Sequence, residues 1–100
     1  MKARLLQRKR QTDGNGNLTS RVIWLVPRNE RHPEGVRYRL AFVPGGARAP
    51  VVLYDNHHPK GHHRHLVGKQ EAYGFTSVRR LREDFDRDVA AWKNTKGTES

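Results

Sequence analysis

Residues 36–42 read Val-Arg-Tyr-Arg-Leu-Ala-Phe, and this stretch decides the fold class. Large apolar side chains fall at every second position from Val36 to Phe42, and Arg37 and Arg39 lie between them. Successive side chains of a β-strand point to opposite faces of a sheet, so the alternation predicts a strand with one face in the core. The two arginines are then expected side by side on an open sheet face.

Other segments on both sides extend this strand into a sheet. The strands predicted besides 36–42 span residues 3–12, 19–26, 51–54 and, as a short fifth strand, 66–67. Asp-Gly and Asn-Gly dipeptides within residues 13–17 are typical of the tight turn of a hairpin. The run from Val22 to Val26 is apolar on both faces, which favours a central strand with Trp24 in the core. Residues 70–75 are expected to be a connector.

A single helix is predicted near the end of the chain, from Ser77 to about Lys93. Its apolar residues recur at steps of three and four and form one stripe: Val78, Leu81, Phe85, Val89 and Trp92. Thr76 or Ser77 can cap its start, and residues 94–97 are expected to end it. The predicted fold class is α+β, with an about five-stranded, mostly antiparallel sheet and one C-terminal amphipathic helix on one face. Residues 1–100 are expected to form a single domain.

The charge of the chain is strongly positive and uneven. Twenty Lys and Arg residues against ten Asp and Glu give a formal charge of +10. Residues 1–50 carry eleven basic and three acidic side chains, whereas residues 51–100 carry nine and seven. The strands are therefore expected to form a positive surface for a polyanion, either nucleic acid or an acidic protein. The expected contributors are Arg4, Arg8, Lys9, Arg10, Arg21, Arg37 and Arg39.

The sequence also argues against several classes of protein. It has no cysteine, which excludes disulfides and thiolate metal sites. No segment approaches the roughly 18 apolar residues that a membrane span requires. The apolar run near the N-terminus stops after Leu5 and Leu6, too short for a signal peptide. We therefore expect a cytoplasmic protein with no membrane partner.

Five of the six histidines fall between His57 and His65, in a polar segment that follows the fourth predicted strand. RNA cleavage without a metal needs a base for the 2′-hydroxyl proton, an acid for the leaving 5′-oxygen and cations for the developing charge. Imidazole serves both proton-transfer roles because its ordinary pKa, about 6.5, lies near working pH. The candidate catalytic residues are Tyr54, His63, Arg64 and His65; the candidate substrate-binding residues are Arg37, Arg39, Asn56 and Lys60.

Asp55 is expected to orient one histidine by accepting a hydrogen bond from its second ring nitrogen. Two other interpretations of the segment stay open. The first is metal binding, for which the possible ligands are Asp55, His57, His58, His62, His63 and His65. His63 and His65 can share a strand face, but the spacing fits no strong metal signature and the neighbouring Lys60 and Arg64 disfavour a cation. The segment is alternatively a solvated turn, in which Asp55 and Asn56 bond the backbone. Tyr38 and Tyr73 are capable of stacking bases, but packing roles are favoured for both.

Several motifs of the chain resemble the TumE family of toxins. They are Tyr54-Asp55-Asn56, Lys60-Gly61, His63-Arg64-His65 and the stretch from Tyr73 to Val78, followed by Leu81, Asp84 and Phe85. The resemblance implies the toxin of a type II toxin–antitoxin pair, encoded beside a DNA-binding antitoxin of the helix-turn-helix type. At position 62, where family members often carry an acidic residue, this chain has histidine.

Chemistry and resemblance together favour a metal-independent endoribonuclease that acts on RNA and needs no cofactor. His63 or His65 would be the base and the other the acid. A non-catalytic basic module for nucleic acid and a metal-dependent nuclease are the alternatives. A homodimer through an exposed sheet edge is also left open.

Overall fold

The computed structural model of the protein describes the backbone of residues 2–98 and the side chains of residues 2–95. Its elements are β1 (Arg4–Thr12), β2 (Leu18–Leu25), β3 (Val36–Val43), β4 (Val52–Asp55), β5 (His63–Leu66), β6 (Lys69–Ala72) and α1 (Val78–Thr98). The strands form one sheet in chain order, and every neighbouring pair is antiparallel. The predicted α+β class is confirmed, with six strands instead of about five.

The extra strand lies where the sequence predicted a connector. β5 begins at His63, and the two-residue turn Val67-Gly68 joins it to β6. Both turn residues have positive φ angles, 49° and 81°, as the tightest hairpin turns require. All four residues of β6 are exposed and polar or small, so β6 carries no alternation of apolar residues by which it could have been predicted.

The helix packs on one face of the sheet along the predicted stripe. Leu81, Phe85 and Val89 are buried in the core, and Val78 and Trp92 pack against its margin. Ser77 is the N-cap, since its Oγ accepts a hydrogen bond from the Arg80 amide at 3.0 Å. The helix continues to Thr98 and does not end near Lys93, because Asn and Gly are only mildly unfavourable in a helix and no proline stops it.

Strand register divides the sheet into a helix face, on which α1 packs, and an open face. Ile23, Tyr38 and Leu40 mark the helix face, and all three are buried. The open face carries Leu5, Arg8, Arg10, Thr12, Leu18, Ser20, Val22, Trp24, Arg37, Arg39, Ala41, Val43, Leu53, Asp55, His63, His65, Gln70 and Ala72.

The prediction of Trp24 in the core was wrong, because Trp24 alternates with Ile23 and is only partly buried on the open face. β2 is the second strand of the sheet and not a central one.

Candidate active site

Two histidines lie together on the open face because they occupy alternate positions of β5. The ring centroids of His63 and His65 are 5.5 Å apart, and the ring planes are inclined by 68°. A pair of imidazoles at this separation can contact neighbouring atoms of one small group. The structure thus brings together the two histidines to which the sequence analysis gave the acid and base roles.

His63 is held in one tautomer by the backbone. Its Nδ1 lies 2.9 Å from the carbonyl oxygen of Gly61, which can only accept, so Nδ1 carries the proton. The residue is 8% exposed, and no described residue binds its Nε2. Because the described residues include no buried side-chain nitrogen or oxygen that lacks a hydrogen-bond partner, this unbound Nε2 must reach the surface. In the neutral ring, Nε2 therefore offers a lone pair at the surface, as a general base requires.

Arg39 and His63 belong to one row of the open face, and Arg37 and His65 lie two residues from that row on opposite sides. Arg39 pairs with Asp55 across β3 and β4, and Asp55 pairs with His63 across β4 and β5. The backbones of Arg39 and His63 are therefore two strand spacings apart, a distance of about 10 Å. Arg37 and Arg39 are both exposed, and no described residue forms an ion pair with either. Their long side chains are free to bind a phosphate near the histidines.

A groove of about 300 Å³ runs over the open face beside these arginines. Its walls are formed by Val22, Trp24, Arg37, Tyr38, Arg39, Asp55 and His57. Among the strand positions of this face, within residues 2–98, Asp55 is the one acidic residue. The groove is therefore positive and suited to an anionic ligand.

Asp55 and Asn56 have structural roles that limit their availability to a ligand. Asp55 Oδ1 accepts a hydrogen bond from the His57 amide at 2.6 Å, and the partner of His63 Nδ1 is Gly61 and not Asp55. Asn56 is 3% exposed; its Oδ1 accepts from the Tyr38 amide and its Nδ2 donates to the Val36 carbonyl, both at 2.9 Å. The side chain of Asn56 thus extends the pairing of β3 beyond the end of β4.

Arg64 and Tyr54 lie on the helix face, apart from the histidines. The guanidinium of Arg64 donates to Glu71 at 2.6 Å and to Asp88 and the Tyr54 hydroxyl at 3.2 Å each. Tyr54 is fully buried and donates a very short hydrogen bond to Asp88. Burial and this hydrogen bond raise the pKa of Tyr54, and the hydrogen bond to Tyr54 raises the pKa of Arg64.

These contacts correct the grouping of the four predicted catalytic residues, because strand alternation sends Arg64 to the side of the sheet opposite His63 and His65. Lys60 is exposed in the turn of residues 58–60, outside the strands.

His62 also belongs to the helix side. Its ring stacks against Tyr38 and Phe75, with centroid separations of 5.6 and 4.8 Å, and the rings of Tyr38 and Phe75 are 5.9 Å apart. Its Nδ1 lies 2.8 Å from the Tyr38 hydroxyl and its Nε2 lies 2.9 Å from Glu34 Oε1. The hydrogen bond with His62 lowers the pKa of Glu34. His62 is therefore a packed residue with both nitrogens engaged.

The helix cancels much of the positive charge on its own side of the sheet. Arg21 lies 2.7 Å from Asp86 and over the ring of Phe85, so it does not contribute to the open surface as predicted. Asp88 pairs with Arg64, and Asp84 pairs with Arg80 and Arg87 on the helix itself. The open face carries four strand arginines without an ion-pair partner among the described residues, Arg8, Arg10, Arg37 and Arg39. Arg4 and Lys9 are also exposed and unpaired within those residues, but register places them on the helix face and not on the open face.

The described residues offer neither a cluster of metal-ligating side chains nor a helix able to cross a bilayer. Among residues 2–98, no group of three or more His, Asp or Glu side chains is arranged to hold a metal ion. None of the helical segments in that range combines the length and apolar character of a bilayer span.

Comparison with known protein families shows the family to which the chain belongs. The family model described as "Toxin TumE" matches residues 2–93. The chain belongs to the TumE toxin family. Searches of curated proteins and of solved structures return no match. In this TumE-family toxin, the match spans all six strands and most of the helix.

Two features of this TumE-family site were missed by reasoning from the sequence. The carbonyl of Gly61 fixes the tautomer of His63, and a backbone acceptor of this kind leaves no mark in the residue pattern. Trp24 joins the arginine groove, and the alternation of Val22 and Trp24 with the buried Ile23 was the signal that pointed there. That signal was hidden because all the side chains from Val22 to Val26 are apolar.

Proposed function

We propose that this TumE-family toxin is a metal-independent endoribonuclease whose catalytic residues are His63 and His65. The observation that carries the proposal is the imidazole pair, 5.5 Å apart on the face that also presents Arg37 and Arg39. The proposal needs the histidines and the arginines together on one face, and strand alternation supports that grouping. Arg64 and Tyr54 serve the fold and not the chemistry, because their polar atoms are engaged at the helix.

The reaction follows from the tautomer of His63. Nε2 of His63 takes the proton of a ribose 2′-hydroxyl, and the 2′-oxygen forms a bond to the adjacent phosphorus. The bond from phosphorus to the 5′-oxygen breaks, and protonated His65 gives its proton to that oxygen. The products are a 2′,3′-cyclic phosphate and a 5′-hydroxyl. Arg37 and Arg39 offset the charge that builds on the phosphoryl oxygens.

The proposal is tested by cleavage of a labelled single-stranded RNA in the presence of EDTA. We expect 2′,3′-cyclic phosphate ends, and His63→Gln or His65→Gln should each lower the rate by about 10²- to 10⁴-fold, the usual contribution of general acid–base catalysis. His58→Gln, an exposed histidine in the turn before Lys60, is the matched control and should cleave normally. Loss of all activity in EDTA would instead indicate a metal-dependent nuclease. Tight, salt-sensitive binding without cleavage would indicate a binding module.

The proposed partner is an antitoxin encoded beside the toxin, of the helix-turn-helix type that the family resemblance implies. We propose that its docking surface is acidic and covers the open face, because the uncompensated arginines lie there. Such an antitoxin would compete with RNA, so RNA should displace it at low salt. The site of action would be the cytoplasm, where the RNA is, with the toxin working as a single domain.

The homodimer that the sequence leaves open is proposed at β6 and not at β1. Two β1 edges would bring together the basic side chains of Arg8, Lys9 and Arg10 from both copies, which is unfavourable. β6 carries Lys69 and Glu71 and is close to neutral. Light scattering at increasing protein concentration decides between monomer and dimer.

A further inference from the structure

Trp24 lies on the open face of the sheet, where no helix covers it. It pairs with Arg37 across β2 and β3, two residues along from the pair of Val22 and Arg39. Its indole is partly exposed and lines the groove that Arg37, Arg39 and Asp55 also line. The guanidinium carbon of Arg8 lies over the indole ring, 5.7 Å from its centre, in a cation–π contact on one face of the ring.

The aromatic rings on the helix side are committed to packing. Tyr38 is 3% exposed and its hydroxyl is bound by His62, while Tyr54 is fully buried. The hydroxyl of Tyr73 donates to Asp84 at 2.6 Å. Among the strand residues that the structure describes, Trp24 is therefore the aromatic side chain that the open face offers to a ligand. The two tyrosines that the sequence analysis considered for base stacking are not on this face.

We infer that Trp24 is a stacking platform for a nucleobase of single-stranded RNA, a role that rests on the proposed function. Register separates Trp24 from His63 by three strand spacings and two residues along the strand, about 16 Å at the backbone. Arg37 and Arg39 lie between these two points. A single strand laid across the groove places phosphates on the arginines, one base on the indole and a linkage further along the strand at the histidines.

The chemistry of the platform defines the class of substrate. In a duplex both faces of each base are covered by its neighbours, so only an unpaired base can stack on the indole. Every base has a π-face, and no hydrogen-bonding group is needed to hold it, so the platform favours single strands without a strict sequence. An acidic peptide would use the arginines but would gain nothing from the indole.

The test is fluorescence of Trp24 in a Trp92→Phe background, where it is the one remaining tryptophan. The probe is a non-cleavable 2′-O-methyl oligonucleotide of about eight nucleotides. We expect quenching by the single strand, little by its duplex and none by polyglutamate. Trp24→Leu should weaken binding by about 5- to 150-fold, the range for stacking of one base, and Trp24→Phe should retain most of the affinity.

The two variants separate stacking from folding. Leucine and phenylalanine both keep apolar bulk at position 24, so a difference in affinity between them reflects the ring. Equal affinity of Trp24→Leu, Trp24→Phe and wild type, or equal quenching by polyglutamate, overturns the inference and leaves the cleavage proposal standing. Quenching and stacking-dependent affinity in a protein that cleaves no RNA support the platform and overturn the nuclease.

Discussion

Arg64 Nη1 lies 3.2 Å from Asp88 Oδ2. Arg64 stands between the two candidate catalytic histidines in the sequence, but its guanidinium is part of the sheet–helix interface. The side chain of Asp88 is 13% exposed and that of Arg64 is 25% exposed. Asp88 also accepts the hydrogen bond of the buried Tyr54 hydroxyl, so a single carboxylate of α1 anchors β4 and β5. The residues on either side of Arg64 point to the opposite face and are left free of this network.

Arg64→Ala is therefore expected to reduce stability and not catalysis. Removing the guanidinium leaves the largely buried Asp88 with only the longer 4.0 Å ion pair to Arg87, at a cost of about 2 kcal/mol in the free energy of unfolding. Arg79→Ala is the matched control, because the Arg79 side chain is 89% exposed and 3.9 Å from its partner Glu83; it should change stability by less than about 0.5 kcal/mol. Urea unfolding measures both. A folded Arg64→Ala protein with a hundred-fold slower cleavage would return Arg64 to the catalytic site.

The acid and base roles of the histidines predict opposite changes in the pH profile of kcat/KM. His63 must be neutral and His65 protonated, so the wild-type profile should rise and then fall with increasing pH. His63→Gln should lose the rising limb, and His65→Gln should lose the falling limb. Cleavage rates measured across the stable pH range check this. If each variant lost the limb assigned to the other, the roles of the two residues would be reversed.

The open-face arginines predict a change in the salt dependence of RNA binding. Each arginine that contacts a phosphate of a single strand contributes about 0.7 to the slope of log affinity against log salt, so the double variant Arg37→Gln/Arg39→Gln should reduce that slope by about 1.4. The control, Arg79→Gln, changes an exposed arginine of the helix and should leave the slope unchanged. Titrations at several salt concentrations measure the slope. Equal slopes for wild type and the double variant would move the binding surface elsewhere.

The sequence predicted the parts of the fold in which burial follows a simple period. Alternation in β3 and the stripe of α1 contain enough apolar residues to mark a core face, and both predictions were confirmed. β6 has no buried residue and is a strand because its backbone pairs with β5, which composition does not reveal. Trp24 was misplaced because apolar side chains occupy both faces of its strand, which hides the period.

The candidate site was predicted in part for a related reason. The histidines are close in sequence, and their alternate spacing was enough to put them on one face. Arg64 belongs to the same short segment, but as the residue between the two histidines it points to the other face of the strand. Its partner Asp88 is distant in the chain. Ion pairs between distant elements decide which charged side chains remain free for a ligand, and a single sequence does not show those pairs.

Asp84 is expected to make the protein sensitive to acid. Burial alone would raise the pKa of Asp84, but the Tyr73 hydrogen bond and the charges of Arg80 and Arg87 hold it below its ordinary value. A lowered folded-state pKa stabilises the fold above the unfolded value, about 3.9, and the stabilisation is lost as pH falls through the folded value. Asp84→Asn should therefore lower stability at neutral pH and flatten the loss of stability below about pH 4. Urea unfolding at several pH values measures both effects; parallel profiles for the two proteins would contradict the assignment.

Val67 offers a stabilising substitution at the turn between β5 and β6. Its φ of 49° lies in the left-handed region, which a β-branched residue adopts only with strain, of order 1–3 kcal/mol. The residue is 69% exposed, so little packing is lost when its side chain is replaced. Asparagine tolerates the left-handed region and precedes glycine in the most favoured two-residue hairpin turns.

Val67→Asn should therefore raise the free energy of unfolding by about 1 kcal/mol and increase Tm. Val67→Ala is the control, because it removes the same exposed apolar atoms and the β-branch but lacks the local hydrogen bonding by which asparagine accommodates a positive φ. Thermal unfolding of the three proteins should give the order Asn, then Ala, then Val. The turn also sets the register of β5, which places His63 and His65 on the open face, so cleavage per folded molecule should be unchanged in Val67→Asn. A less stable Val67→Asn protein would mean that the valine side chain contributes more to packing at the end of the sheet than its exposure indicates.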